Sequence, residues 1–393
     1  MKKYDIIVSG GGMIGSITAV ALCQAGFSVL LIEAKKKVKL TPSQARDLRV
    51  SAISAENINT LKQLRIFNNL LQTRIQAYDK MQVWDNRSSG EIEFTADYAK
   101  QDYLGYLMEN NNLIQAAWQT LATTNEALCD TICETQIKSI ENDSSQVRVE
   151  LNNGESLKSR LVIAAEGRNS AVRQLANIKT QEKDYQQKGL VAYLHIEKAP
   201  TKTALQAFNV GGPIGILPIS SEEKLYSIVW SLPYSQAESM LNCDEQTFNQ
   251  TVKKAIGKDF GEIQLKSKRA AFPLTQLYAK KYFNNRIVLC GDTAHGVHPL
   301  AGQGVNLGIG DIQQLIQLLD TQTLKDDELL HRALKKYQRR RLSKVQETSE
   351  MMSFLHHLFL DDKHIKKPLR NFGMNLVNKL PIKKWLMQQA GSY

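Results

Sequence analysis

The sequence predicts an α/β protein in which a Rossmann-type dinucleotide-binding domain is interrupted by an antiparallel sheet and followed by a helical C-terminal segment. Three observations predict it. An apolar run meets a glycine cluster in "DIIVSGGGMIG", residues 5–15. Strands and helices alternate in three separated blocks. The stretches between those blocks read as short strands punctuated by turn residues.

The opening run Ile6, Ile7 and Val8 is short and mostly β-branched, as a buried parallel strand requires. Gly10, Gly12 and Gly15 follow it as G-x-G-x-x-G, and "MIGSITAVALCQAG" reads as a helix with Ile14, Ile17, Ala21 and Leu22 on one face and Gly26 as its stop. The first glycine makes a tight turn, the second lets a pyrophosphate approach the backbone, and the third lets helix and strand pack closely. The helix N-terminus then offers unpaired N–H groups to the phosphate. The next apolar run, "SVLLIEA", puts Glu33 at the tip of a second strand, where an acid binds ribose hydroxyls. A glycine turn without a ligand has no need of that acid.

The three blocks cover residues 1–75, 104–178 and 273–345 and form one discontinuous domain. The second holds a helix around "NNNLIQAAWQTLATT", a strand pair with a turn at Asn153-Gly154, and the strand "RLVIAA". The third holds the strand "RIVLCG" and a long helix from about Gly304. Residues 76–103 and 179–272 contain "LVAYLHIEK", "ALQAFNV", "GGPIGILPISS" and "KLYSIVWSLP", short strands of an inserted sheet whose cleft against the first domain suits a substrate.

With 393 residues and 42% hydrophobic content the chain has material for two or three domains. No apolar run approaches the length of a membrane span, and a strand begins too early to leave room for a secretory leader. Cys23, Cys129, Cys133, Cys243 and Cys290 are odd in number and scattered, which predicts reduced thiols in a cytoplasmic protein. His295 and His298 stand at H-x-x-H spacing with no third ligand nearby, so a structural role is expected and no metal site.

The net charge of +11 is concentrated at one end. From His331 to Tyr393 there are 14 Lys or Arg against 4 Asp or Glu, whereas the rest of the chain carries 36 against 35. Apolar residues interleave with these cations, and Trp385 sits beside Lys383 and Lys384. Two readings of residues 346–393 stand: an amphipathic helical segment for an anionic membrane surface, or a helical cap packed on the body. Nucleic-acid binding would leave the glycine and acid motifs without a purpose and is set aside.

Two further motifs complete the pattern. "RLVIAAEGRNSAVR" (160–173) is a buried strand ending in acid-glycine, and "RIVLCGDTAHGVHPLAGQGVNLG" (286–308) is a strand ending on Gly291-Asp292 before a Gly-rich loop. With the opening fingerprint they resemble the three signatures of the FAD-dependent aromatic hydroxylases of the p-hydroxybenzoate hydroxylase fold. The resemblance sharpens to the ubiquinone-biosynthesis ring hydroxylases at "DLRVSAIS", "MQVWD", "LGYLMENNNL", "SIVWSLP" and above all "HPLAGQGVNLG".

The resemblance implies that Gly10, Gly12 and Gly15 hold the FAD pyrophosphate and Glu33 the adenosine ribose. Asp292 is implied at the pyrophosphate and ribityl region, with Arg49 and Asn110 near the cofactor. Glu166 stands with Gly167 where the family has Asp-Gly, a departure of one methylene in a motif that serves both FAD and the nicotinamide donor. Gly302, Gly304 and Asn306 open a helix whose N-terminus can stabilise a negative charge at the reactive end of the cofactor. Backbone around Pro299 to Gly304 is the expected catalytic contribution. NADPH or NADH as donor, dioxygen, a polyprenylated phenol or quinol hydroxylated at C5 in preference to C6, a peripheral membrane location and a ubiquinone-biosynthesis assembly complete what is implied.

Overall fold

The computed structural model describes residues 2–124, 127–143, 145–296 and 303–360. At its centre lies β1 (Lys3–Ser9), paired in parallel with β2 (Val29–Glu33) on one side and with the strand Ser156–Ala164 on the other. Ile7 stands opposite Leu30 in one pairing and Val162 in the other. Cys129–Cys133 extends this sheet beyond β2, and Ile287–Leu289 extends it beyond Ser156–Ala164, again in parallel. Ile6, Ile7 and Val8 are fully buried in the core of this domain, which is why the run is continuous rather than alternating. Each such side chain contributes roughly 1.5–3 kcal/mol.

Helix α1 (Met13–Gln24) is buried on nearly every side from Gly15 to Cys23, rather than on one face. It packs against the helices Asn110–Thr123 and Gln303–Leu318, and a helix apolar all round is the kind that such a position needs. Gly26 follows its end at φ +89°, and Gly154 at φ +86° turns Val147–Leu151 into Ser156–Ala164, as expected of both.

Parallel pairing has one consequence that governs the rest. The carboxyl ends of four strands lie along one edge, so Gly10, Glu33, Glu166 and Gly291 become neighbours although up to 281 positions separate them, from Gly10 to Gly291. Ligands of open α/β sheets bind at that edge.

A second sheet has nine strands, mostly antiparallel. The expectation of uniformly short strands is corrected by Thr180–Ile196, a 17-residue strand bulged between Asp184 and Gln187. Its first half, "TQEKDYQQ", is polar and largely exposed, and it is a strand only because Ala270–Ala279 pairs with it. The sheet therefore also runs beyond residue 272. Helices Tyr234–Asn242 and Glu245–Ile256 cover one face through a core that includes Leu190, Tyr226, Trp230 and Phe248. The other face meets a small sheet of β3 (Val50–Ser54), Gly105–Glu109 and Ile75–Tyr78 through Tyr193, Ile219 and Leu107.

The last described helix, Asp327–Leu360, is continuous across the expected boundary at residue 346, and the remainder of the basic segment lies outside the described residues. Among the described residues no helix is long and apolar enough to cross a membrane. The expectation of five reduced cysteines is corrected: a disulfide joins Cys23 to Cys129, while Cys133, Cys243 and Cys290 are free. Cys129 lies on the strand beside β2, and α1 brings Cys23 to a Cα separation of 6.2 Å, a proximity that sequence spacing does not reveal.

Candidate functional site

A cavity of about 790 Å³ opens along the carboxyl edge of the parallel strands. Gly10, Gly12, Glu33, Arg49, Asn110, Glu166, Gly167, Asp292 and Gly304 all line it. Gly15 and Asn306 stand behind the wall, and Pro299, Gly302 and His298 lie outside the described residues.

The three glycines of the fingerprint are glycine for different reasons. Gly10 has φ +102°, and a Cβ there would lie 2.5 Å from the Ala165 carbonyl oxygen. At Gly15 a Cβ would lie 1.7 Å from the Gly10 oxygen, so helix and strand could not meet. At Gly12 it would meet no described atom within 4 Å. The chain's own packing requires the first and third, whereas the second borders open space in the cavity. No side chain caps α1, although Ser54, Asp244 and Asp320 cap other helices. Gly12, Met13 and Ile14 line the cavity at this uncapped end, so a phosphate there would supply both the missing neighbour and the missing acceptor.

Glu33 ends β2 with Oε2 accepting from the Gly11 N–H at 2.5 Å and Oε1 from the Lys35 N–H at 2.9 Å. The carboxylate is thus fixed at the cavity wall, where a ribose can reach it. Trp118, from the helix Asn110–Thr123, donates from Nε1 to the Gly11 carbonyl at 2.9 Å and braces the same turn.

Glu166 is bound mainly by its own chain. Its Oε1 accepts from Ser9 Oγ at 2.6 Å, and its Oε2 from Ser170 Oγ at 2.5 Å and the Val172 N–H at 2.9 Å. The extra methylene of Glu carries the carboxylate to the start of the helix Ala171–Leu175, where it acts as an N-terminal anion. Gly167, at φ +81°, is clasped to the opposite motif, with its N–H donating to Thr293 Oγ1 at 2.9 Å.

Asp292 opens to the cavity while the protein surrounds it behind, and this burial raises its carboxyl pKa, against an opposing pull from His295 and Arg168. A folded-state pKa above the unfolded value stabilises the fold at low pH and loses that contribution as pH rises through the folded pKa. Asp292→Asn is therefore expected to raise the thermal midpoint of the FAD-free protein at pH 7. The gain should close as pH falls below the ordinary Asp value of about 3.9, where both side chains are neutral. Thermal scans from pH 7 to pH 3.5 check this, and a gain that persists unchanged at the acid end would contradict it.

Arg49 projects into the cavity 3.8 Å from Asp47 Oδ1, and Asn110 accepts from Ser51 Oγ at 2.7 Å. Asn306 lies in the first turn of the helix that the motif was expected to open. Its side-chain amide donates to Ala52 O at 2.8 Å and its Oδ1 accepts from the Ser54 N–H at 3.0 Å and Asn57 Nδ2 at 2.8 Å, so the side chain ties the helix Gln303–Leu318 to β3 and α2 (Ala55–Gln63). At Gly304 the nearest described atom to a Cβ would be Asp292 Oδ1 at 3.7 Å, an ordinary contact.

Sequence reasoning missed Trp118, Thr293 and Arg168 as site residues. Arg168 donates to the Thr275 and Gln276 carbonyls at 3.1 and 3.3 Å and joins the cavity wall to the second sheet. Arg168 and Thr293 lay inside the two quoted motifs, whereas Trp118 reads only as a helix core residue. His295 is fully buried and shares a 2.6 Å hydrogen bond with Asp311.

The fold and the cavity define a dinucleotide-binding α/β protein whose ligand edge adjoins a second, largely antiparallel sheet. The chain belongs to the FAD binding domain family, which matches residues 3–351. It is 30% identical to the 3-demethoxyubiquinol 3-hydroxylase of Escherichia coli across 100% of this chain and 98% of that protein. Its identity to the mitochondrial ubiquinone biosynthesis monooxygenase COQ6 of Rattus norvegicus is 33%, over 83% of this chain and 77% of the relative. Among solved structures, the probable FAD-dependent monooxygenase pqsL of Pseudomonas aeruginosa superposes with a TM-score of 0.76 at 21% identity over 95% of this chain and all of that one. Klebsiella pneumoniae HpxO, complexed with FAD and uric acid, does so with 0.74 at 17% identity over 100% of this chain and 97% of that one. These two likenesses are of fold.

Proposed function

We propose that this chain is an FAD-dependent monooxygenase that hydroxylates the aromatic ring of a polyprenylated phenol or quinol in ubiquinone biosynthesis. The observation that carries the reading is the cavity edge, where the three motifs meet in a chain matched over its whole length by a ubiquinone-pathway hydroxylase. The residues present fit FAD: the α1 N-terminus and Gly12 receive the pyrophosphate, Glu33 the adenosine ribose, and Asp292 the region between pyrophosphate and ring. FAD, when bound, supplies electron storage and activates dioxygen. The start of the helix Gln303–Leu318 offers backbone N–H groups to negative charge at the reactive end, and Gly304 lines the cavity there.

The electron donor is NADPH or NADH. It binds transiently, since the one dinucleotide fingerprint serves FAD. A phenol brings its own electron-donating oxygen, so the protein's task is to position the ring and exclude water. Residues 76–103 and 179–272 form the substrate side and the three flanking blocks the cofactor side. We place hydroxylation at C5, on the likeness of "SIVWSLP" and "LGYLMEN". The E. coli relative is named for position 3, and this favours a second reading at that carbon.

Deleting the gene and analysing prenylated lipids by mass spectrometry tests both. Accumulation of a prenylphenol or quinol lacking one ring oxygen is expected, and its methylation pattern identifies the carbon. Unchanged ubiquinone with no such intermediate would sink the reading in a strain without a second hydroxylase.

A polyprenyl substrate resides in a bilayer, and the C-terminal helix exposes Arg332, Lys335, Lys336, Arg339 and Arg340. Cations near an anionic surface contribute roughly 1 kcal/mol each. Changing Lys335, Lys336 and Arg339 to Glu is expected to abolish binding to phosphatidylserine vesicles while leaving FAD content unchanged. Undiminished vesicle sedimentation would remove this helix from the membrane contact. Docking into an assembly of pathway enzymes is part of the same proposal.

A further inference from the structure

The helix Asp327–Leu360, whose outer side carries the exposed cations, reaches inward to the cofactor edge at two points. Tyr337 is fully buried and its hydroxyl donates to the Leu289 carbonyl at 2.8 Å. Arg341 is buried and donates from Nε to Asp311 Oδ1 at 2.5 Å and from Nη2 to the Leu307 carbonyl at 2.9 Å. Asp311, fully buried on the helix Gln303–Leu318, turns its other oxygen to the Gly291 N–H at 2.8 Å and to His295 Nε2 at 2.6 Å. Leu289 and Gly291 flank Cys290, and Asp292 follows in the cavity wall. The turn that presents Asp292 is therefore gripped on both sides by hydrogen bonds that lead to one distant helix.

Local packing keeps this path open. A Cβ at Gly310 would lie 3.2 Å from both Nη atoms of Arg341, so the glycine leaves the passage through which the guanidinium passes. Gly308, two residues earlier, would bring a Cβ within 2.5 Å of Ile14 Cδ1 and so governs the packing on α1 instead. The stretch "GIGD" thus lets one helix sit close to α1, admit Arg341 and deliver Asp311 to the turn. Asp311 is held ionised, its pKa lowered by His295 and Arg341 against the opposing effect of burial. A buried carboxylate with three donors is rigid, and a turn fixed by it is pre-organised.

We propose that Asp311 is the positioning residue of the Gly291-Asp292 turn, and that Arg341 makes FAD affinity depend on the seating of the C-terminal helix. The proposal rests on the FAD reading above. It assigns a structural path between the cation-bearing helix and the cofactor, so a partner that shifts the helix would alter flavin binding.

The test measures FAD dissociation constants by fluorescence quenching and thermal midpoints of the FAD-free protein, on the full chain. Asp311→Asn is expected to weaken FAD binding at least about tenfold, and Arg341→Met similarly, with Arg341→Lys recovering part of the loss because a cation still reaches Asp311. Gly310→Ala separates positioning from stability. Alanine favours a helix interior over glycine and so offsets part of the cost of the shifted guanidinium, so FAD binding should weaken by more than the thermal midpoint falls. A folded Gly310→Ala or Asp311→Asn protein with wild-type FAD affinity and an unchanged flavin absorption spectrum would overturn the proposal. Absence of FAD binding by the wild-type chain would instead overturn the reading beneath it.

Discussion

Gly12→Val folds and fails to retain FAD, whereas Gly15→Ala fails to fold: this is the expected pair of results at the glycine turn. Gly12 has φ −68° and ψ −169°, an extended backbone that a β-branched residue adopts without strain. Among the described residues no atom lies within 4 Å of its absent Cβ, so the substitution disturbs none of their packing in the FAD-free protein. The new side chain would occupy the space against the uncapped end of α1, where the pyrophosphate must approach the backbone. A loss of at least 100-fold in FAD affinity is expected, about 2.7 kcal/mol. At Gly15 a Cβ would lie 1.7 Å from a backbone oxygen of the neighbouring turn, which no rotamer change relieves. Circular dichroism and flavin content of the two purified variants decide the matter. A yellow, flavin-loaded Gly12→Val protein would show that the pyrophosphate lies elsewhere.

That contrast also shows what could be read from sequence and what could not. The run from Ile6 to Glu33 was legible because strand, turn, helix and acid are contiguous, and Gly10 and Gly15 answer to local steric demands. The convergence of residues 33, 166 and 292 was legible only through motifs that mark strand ends, since parallel pairing itself leaves no local trace. Asn306 illustrates the limit. Its place in a helix-opening motif was legible, but the side-chain bonds to Ala52, Ser54 and Asn57 were not, because only the fold brings β3 and α2 near. The polar half of Thr180–Ile196 escaped notice for a related reason, because exposed edges obey pairing rather than hydrophobic alternation. The Asp311 network was not legible, since Asp311 and Arg341 are ordinary helical residues until their two helices and the Gly291 turn are assembled.

Glu109→Gln is expected to be the most destabilising conservative substitution in the small sheet beside the cavity. Glu109 and Arg74 form a 2.8 Å ion pair with side chains only 2% and 3% exposed. The same carboxylate accepts from the Asp47 N–H at 2.8 Å and from Arg46 Nη1 at 3.2 Å, while Arg74 Nη2 reaches the carbonyls of Pro42 and Gln44. The segment from Pro42 to Arg49 is thus tied to this buried charge cluster, with Tyr193 donating to the Asp47 carbonyl and the Asn110 N–H to the Arg49 carbonyl at 2.9 Å. Removing the negative charge leaves Arg74 buried without its counter-ion, at a cost of about 3–5 kcal/mol. Urea unfolding should show that loss, and limited proteolysis should find new cleavage between residues 42 and 49. The double variant Arg74→Met, Glu109→Met removes both charges and should regain much of the stability, because the penalty belongs to the unpaired cation and not to the lost attraction. Its loop should nevertheless remain protease-sensitive, since methionine offers no donors to the Pro42 and Gln44 carbonyls. If the single and double variants are equally unstable, the cluster acts through packing volume and Arg49 is held in place by other means.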